Sequence, residues 1–337
     1  MNFTGTRLPH CAFLDVNLEQ TEGTFIASIL TSILNVVFSL FTSTGNLIIV
    51  HVIWKTRELR SPSFILLLCL AASDLVVGLI CQPFFVAFHI AELMDNFNAY
   101  CVLRIIQSIS SYTTTGVSLA ILCGISIDRL LALTLHLKYN SVVTVRRIAL
   151  IACSVWIVSA TVVISRFWVS NWIFVPAIVL LLTFLVTALS TWKIFQIVRR
   201  HQQNISQQQQ SVQRSTANAL KCKKSSITVL YIYGLFLIFY LPLLLTIVVK
   251  TVSGYTIRVK IAYDYVTTAV FINSFLNPFV YCWRIGEIRR AVKNALRKNL
   301  KGLIIDENAV RSETRLWLQS WQQMYWICLW LGWSRVV

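Results

Sequence analysis

Of the 337 residues, 56% are hydrophobic and only 13% charged, with a mean hydropathy of +0.68; soluble domains carry about a quarter charged residues, so an ordinary water-soluble fold is excluded. The net charge of +17 lies in short stretches between apolar runs, not in a basic groove interleaved with aromatics, which argues against a nucleic-acid partner. Nine cysteines without CxxC or Cys/His ligand spacing argue against a zinc site.

In chain order, residues 1–24 form a polar segment in which Asn2-Phe3-Thr4 is an acceptor for N-linked glycan if this end is extracellular. No apolar signal-peptide core precedes the first span, which is expected to act as the targeting signal itself. Seven apolar segments follow, at about 25–54, 62–89, 98–132, 146–166, 172–199, 219–250 and 258–282, each near or above the roughly 20 residues that a spanning helix needs. Open-edged strands cannot sit in lipid and no alternating barrel pattern is present. The expected fold is therefore an all-α membrane protein, with a seven-transmembrane helix bundle over 25–282. Of the thirty Lys and Arg, only Arg7, Arg104, Arg166, Lys250, Arg258 and Lys260 fall on one side. The positive-inside rule then places the N-terminus outside and the C-terminus in the cytoplasm.

The loop at 200–218 is Gln-rich and expected to be flexible and cytoplasmic, so its Asn204 sequon stays unglycosylated. Residues 283–300 set Trp283, Ile285, Ile288, Val292, Ala295 and Leu296 on one face against a basic remainder. That is a short amphipathic helix suited to an anionic cytoplasmic leaflet. The tail at 301–337 holds Trp317, Trp321, Trp326, Trp330 and Trp333, and both a membrane-surface anchor and a segment without an evolved role remain open for it.

Two polar sites stand out inside the apolar spans. Asp74 lies near the middle of the second, where a carboxylate is costly. Asn46, Ser118, Asn273, Ser274 and Asn277 are available to it from other spans. These groups either hold helices together or give oxygen ligands to a small hard cation. Asp128-Arg129 closes the third span, as an interfacial ion pair or as a switch toward a cytoplasmic partner. The five histidines, His10, His51, His89, His136 and His201, have no ligand-spaced partners, and no converging catalytic set argues for an enzyme. A transporter would show inverted repeats or paired broken helices, and none is evident.

Ile127-Asp128-Arg129-Leu130, Leu137-Lys138-Tyr139 and Asn277-Pro278-Phe279-Val280-Tyr281 resemble the motifs of rhodopsin-like G-protein-coupled receptors, nearest the melanocortin, adenosine, cannabinoid and lysophospholipid group. The resemblance covers residues 25 to 298 and departs at Leu130, where most members carry tyrosine. It implies that Asp128, Arg129, Asn277, Pro278 and Tyr281 form the coupling switch, and that Phe236 and Pro242 form a sixth-helix pivot in which Phe239 and Tyr240 replace the usual cysteine and tryptophan. It further implies a sodium pocket at Asp74, Ser118, Asn273, Ser274, Asn277 and Asn46, with the ion as an allosteric ligand and no other cofactor. Ser111, Tyr112, Thr115 and Tyr240 are the implied ligand pocket, suited to a small or lipid-like molecule. Partners are then a heterotrimeric G protein, an extracellular ligand and membrane lipid, at the plasma membrane. A receptor-like protein that no longer signals is the alternative. The family's outer disulfide is missing, since its third-helix position holds Arg104; Cys11 to Cys101 is conceivable, but pairing cannot be read from sequence.

Overall fold

In the computed structural model, residues 11–12, 14–135, 138–169, 172, 174–207 and 213–305 are described, with side chains left aside at 140, 201–207, 213–232 and 298–305. Eight long helices carry the fold: α1 Glu22–Lys55, α2 Pro62–Leu93, α3 Phe97–Leu135, α4 Val145–Ile164, α5 Phe174–Gln207, α6 Gln213–Ser253, α7 Ile257–Arg284 and α8 Gly286–Ile305. Local chemistry sets several starts. Thr21 and Thr24 cap α1 reciprocally, Pro62 stands in the first turn of α2, and Thr144 and Thr256 accept from Arg147 N and Val259 N at the heads of α4 and α7.

Six helices, α1 to α6, are long and apolar enough to cross a membrane. The seventh, α7, is more polar, but its Lys260, Asp264, Thr268, Asn273, Ser274 and Asn277 are all buried. Its polarity points into the protein, which is how a seventh span escapes a hydropathy criterion. The lipid side of the bundle is apolar, with Leu40, Leu189 and Val252 among the most exposed side chains. The helices close a ring in which α1 packs on α2 and α7, α5 on α3 and α6, and α6 on α7. Helix α3 runs through the middle against α2, α4 and α5.

Helix α2 is interrupted by a π turn at Val77–Cys81, just ahead of Pro83. At Gly78 the α1 backbone comes close: Ser39 Oγ donates to Gly78 O at 2.7 Å, and a Cβ on Gly78 would sit 2.6 Å from Ser43 Oγ and 2.9 Å from Ser43 N. Only glycine fits this approach.

Two expectations are corrected. The Gln-rich stretch is largely not a loop: α5 runs to Gln207 and α6 starts at Gln213, so helix covers most of 200–218. Long side chains such as glutamine lose little rotamer freedom in a helix, and without Gly or Pro there nothing stops the two helices extending beyond the apolar spans. The amphipathic helix begins at Gly286, because Trp283 and Arg284 still belong to α7. Its Ile288 and Val292 are buried within the protein, where α8 packs on α1 and α7. Asn2, the Asn204 side chain and the Trp-rich tail lie outside what is described.

Cys11 and Cys101 are joined, with Cα atoms 5.3 Å apart. The disulfide draws the segment before α1 across one end of the bundle, where Leu14 and Val16 are buried. Lys260 Nζ donates to Asn17 O at 3.0 Å, and Gln20 Nε2 to Asp95 Oδ1 at 3.2 Å.

Candidate functional site

At the end opposite the disulfide, α3 presents a buried Asp128. Ser63 Oγ, in the first turn of α2, donates to its Oδ2 at 2.7 Å, and Tyr139 OH donates to its Oδ1 at 2.5 Å. Tyr139 opens a single helical turn, Tyr139–Val142, that follows α3. Burial first, and then the hydrogen bond to Asp128, push the Tyr139 phenol above its ordinary range, so it stays a donor. Arg129 Nε stands 3.7 Å from Asp128 Oδ2 with its side chain 30% exposed. The carboxylate is thus held by two hydroxyls, while its arginine neighbour remains reachable from the surface. Pro278 lies inside α7, and Tyr281 is buried with its hydroxyl lacking a hydrogen-bond partner among the described residues. Ser63 was not singled out from sequence, where the Pro62 helix start was the available signal, and Tyr139 was read only as part of the Leu137-Lys138-Tyr139 motif, without its contact to Asp128.

Midway through the bundle Asp74 is fully enclosed and accepts from Asn277 Nδ2 at 2.7 Å. Asn46 Nδ2 donates to Thr42 O at 3.0 Å and to Ser274 O at 3.1 Å, while its Oδ1 has no partner among the described residues. Ser118 Oγ lies 3.0 Å from Ser73 Oγ, and Asn273 is buried nearby in sequence on α7. Among the described residues no Lys, Arg or His pairs with Asp74. A buried carboxylate without a counter-charge, beside an orphaned amide oxygen and neutral hydroxyls, is a donor set that fits a hard cation.

Toward the disulfide end the helices part around a cavity of about 510 Å³, within the size range of small-molecule sites. Ser111, Tyr112 and Thr115 line it, as does Pro176 of α5. Tyr240 is not in its lining: it is buried below, its ring 4.9 Å from Phe236, which in turn stacks 4.8 Å from Phe184. That packing, on the turn before Pro242, makes Tyr240 a core residue packed on Phe236 and not a ligand contact. Thr246 Oγ1 donates to Pro242 O at 2.8 Å.

The cavity mouth carries charges that sequence reasoning did not bring together. Arg104 donates to the hydroxyls of Tyr100 and Tyr255, the latter at 2.8 Å, with its guanidinium 5.3 Å and 5.4 Å from the two ring centres. Burial pushes the Tyr255 phenol up to about 12, so it accepts from Arg104 as a neutral group. Arg166 lies 5.0 Å from the Trp172 ring and 5.4 Å from the Tyr112 ring. Trp172 is buried in the short link before α5, its Nε1 donating to Val162 O at 2.9 Å. Lys250 Nζ meets Asp15 Oδ2 at 2.8 Å. Beside the cavity, a buried ionic cluster ties α2 to α7: Lys260 Nζ bonds Glu92 Oε1, while His89 reaches Glu92 Oε2 at 3.3 Å and Asp264 Oδ1 at 3.6 Å.

The model of the 7 transmembrane receptor (rhodopsin family) matches residues 45–176 and 164–281. Mouse Cannabinoid receptor 2 is 24% identical over 299 residues, which is 82% of this chain and 84% of that protein. Rat Alpha-2B adrenergic receptor is 33% identical over 123 residues, 36% of this chain and 26% of that protein. Trace amine-associated receptor 365 of Petromyzon marinus is 24% identical over 332 residues, covering 89% of this chain and 85% of that protein.

Proposed function

The chain belongs to the rhodopsin family of seven-transmembrane receptors and is a G-protein-coupled receptor, not an enzyme; from that premise we propose that Asp128 and Arg129 are its switch toward a heterotrimeric G protein. The observation that carries this is the asymmetry of the pair. Asp128 is buried on Ser63 and Tyr139, three elements meeting at one carboxylate, while Arg129 is held, among the described residues, by its neighbour and stays partly exposed. A movement that separates α3 from the foot of α2 releases both together. Pro278 gives α7 a break in its hydrogen bonding, and the unpartnered Tyr281 hydroxyl is ready to take a new partner when the bundle opens. Phe236 and Pro242 form the corresponding pivot of α6.

An extracellular ligand binds in the outer cavity, against Ser111, Tyr112 and Thr115, and favours the open arrangement by binding it more tightly. Asp74, with oxygens of Ser118, Asn46, Asn273, Ser274 and Asn277, would hold a sodium ion, whose charge offsets the buried carboxylate when bound. The disulfide end faces outside, at the plasma membrane. The excess of Lys and Arg at the other end supports this orientation, as does Cys11–Cys101 itself, since such bonds persist in oxidising compartments.

Nucleotide exchange on G proteins in membranes carrying wild type or Arg129→Ala tests the assignment. Loss of exchange at unchanged surface level is expected; equal exchange in both would remove the switch. Orientation is read separately, by a glycosidase shift that Asn2→Gln abolishes and Asn204→Gln does not affect.

A further inference from the structure

The cavity is long as well as apolar. Along α3 its lining runs from Arg104 to Ala120, roughly 24 Å at 1.5 Å per residue. Along α4 it runs from Ile151 through Val155, Val158 and Val162 to Arg166 just beyond the helix. One leaflet is about half of the roughly 30 Å hydrocarbon core, and that is the depth one acyl chain fills. Ile151 and Val158 line the cavity and are 57% and 59% exposed, so this wall is only lightly covered by protein.

The charged side chains of the lining are confined to the outer end, and the cations converge there. Arg104, Arg166 and Lys250 all line the mouth. Among the described residues Arg104 has no carboxylate within ion-pair distance; its partners are phenol oxygens and ring faces. Asp264 also lines the mouth, but it is engaged by His89. The acid facing Lys250 is Asp15, which is delivered by the disulfide-held strap rather than by a helix and has its side chain 59% exposed. Burial alone would raise Asp15, yet the hydrogen bond and charge of Lys250, with the fields of Arg166 and Arg104, hold it below the usual carboxylate range. One half-exposed carboxylate thus sits on Lys250 in the field of all three cations.

We propose that this cavity takes a single-chain amphiphile with an anionic headgroup, the acyl chain lying between α3, α4 and α5 and the head replacing Asp15 opposite Lys250, Arg104 and Arg166. This rests on the outer cavity being the ligand site of a receptor. Asp15 is then a built-in stand-in for the ligand head, and strap and ligand compete for one cationic corner.

Binding to purified full-length receptor, measured without G protein, uses three probes of equal chain: oleate, oleoyl lysophosphatidate and the neutral monooleoylglycerol. The two anionic lipids are expected to bind in preference to the neutral one, and the tighter of the pair distinguishes a carboxylate from a phosphate head. Lys250→Gln should weaken the anionic lipids by about tenfold, the scale of one lost charge-assisted contact, and leave monooleoylglycerol unchanged. Lys250→Arg should restore them, and Asp15→Ala should tighten them. Equal binding of all three probes, no binding of any, or a Lys250→Gln effect shared by the neutral lipid would overturn the proposal. Arg129→Ala keeps the readings separable: it should bind oleate normally while failing to drive exchange, and normal exchange would count against the switch without touching the headgroup assignment.

Discussion

Glu92 and Asp74 are both buried in α2, and the protein treats them in opposite ways. Glu92, near the disulfide end, is met by Lys260 and by His89, so its charge is answered by charge from α7. Asp74 is met by a neutral amide, and the oxygens around it include one without a partner. The first arrangement is a lock, because pulling α2 from α7 there separates opposite charges in a low dielectric. The second joins the same two helices through neutral groups, with no opposite charge to separate. Together they tie α2 to α7 by opposite charges at the disulfide end and by neutral groups nearer the middle of the bundle, so the two parts of the contact differ in what it costs to rearrange them.

The largest effect should come from breaking the lock. Lys260→Met leaves Glu92 buried without its cation, a loss of about 3–5 kcal/mol, seen as a sharp fall in melting temperature or surface level. The double change Glu92→Gln with Lys260→Met should recover most of it. If Asp74→Asn costs as much as Lys260→Met, the contrast between the two sites collapses. Next comes the inner restraint. Tyr139→Phe removes one hydrogen bond to a charged oxygen, worth about 1.5–3 kcal/mol, and should raise basal nucleotide exchange without loss of protein at the surface. Unchanged basal exchange would mean that Tyr139 does not favour the resting state.

A smaller effect is expected from sodium. If the external ion stands about tenfold above its dissociation constant, linkage gives roughly 1.4 kcal/mol of stabilisation. Replacing it by a bulky organic cation should lower the melting temperature and raise basal exchange in wild type, and Asp74→Asn should respond to neither. A mutant that still responds would make Asp74 a packing residue only. The smallest effect concerns the strap. Asp15 sits below its ordinary value, so its contact with Lys250 contributes fully above about pH 4 and fades as the pH falls through the lower, folded-state value. Hydrogen exchange of residues 14–20 should be flat in its protection from neutral pH down to that point and weaken below it, and Asp15→Asn should lack the acid limb.

Much of the bundle was legible because lipid imposes a simple demand, that a span be long, apolar and helical. Asp74, Asp128 and Pro278 were legible for the same reason, as groups that break the rule. What escaped was whatever depends on distant partners. Glu92 and Lys260 each look like an ordinary helix-end charge, and only folding shows that they meet. Asp15 reads as one polar residue in a polar segment until Cys11 fixes it over Lys250. Tyr240 was misplaced because spacing gives the turn of a helix but not the depth to which neighbouring rings press it. The Gln-rich stretch was misjudged because polarity was taken for a loop, although a helix continues readily past the membrane when no breaker is present.

The π turn at Val77–Cys81 has one more consequence. An extra residue in a helix advances the phase of everything beyond it by about 100°, the angle of one step at 3.6 residues per turn. His89 and Glu92 stand beyond that turn and meet Asp264 and Lys260 only in the shifted phase. Excising Leu79, whose side chain faces outward, would let α2 relax to a regular helix and swing the two side chains away from α7. The outer lock is therefore written as a matter of angular register, set by one surplus residue ten positions before the histidine it aims.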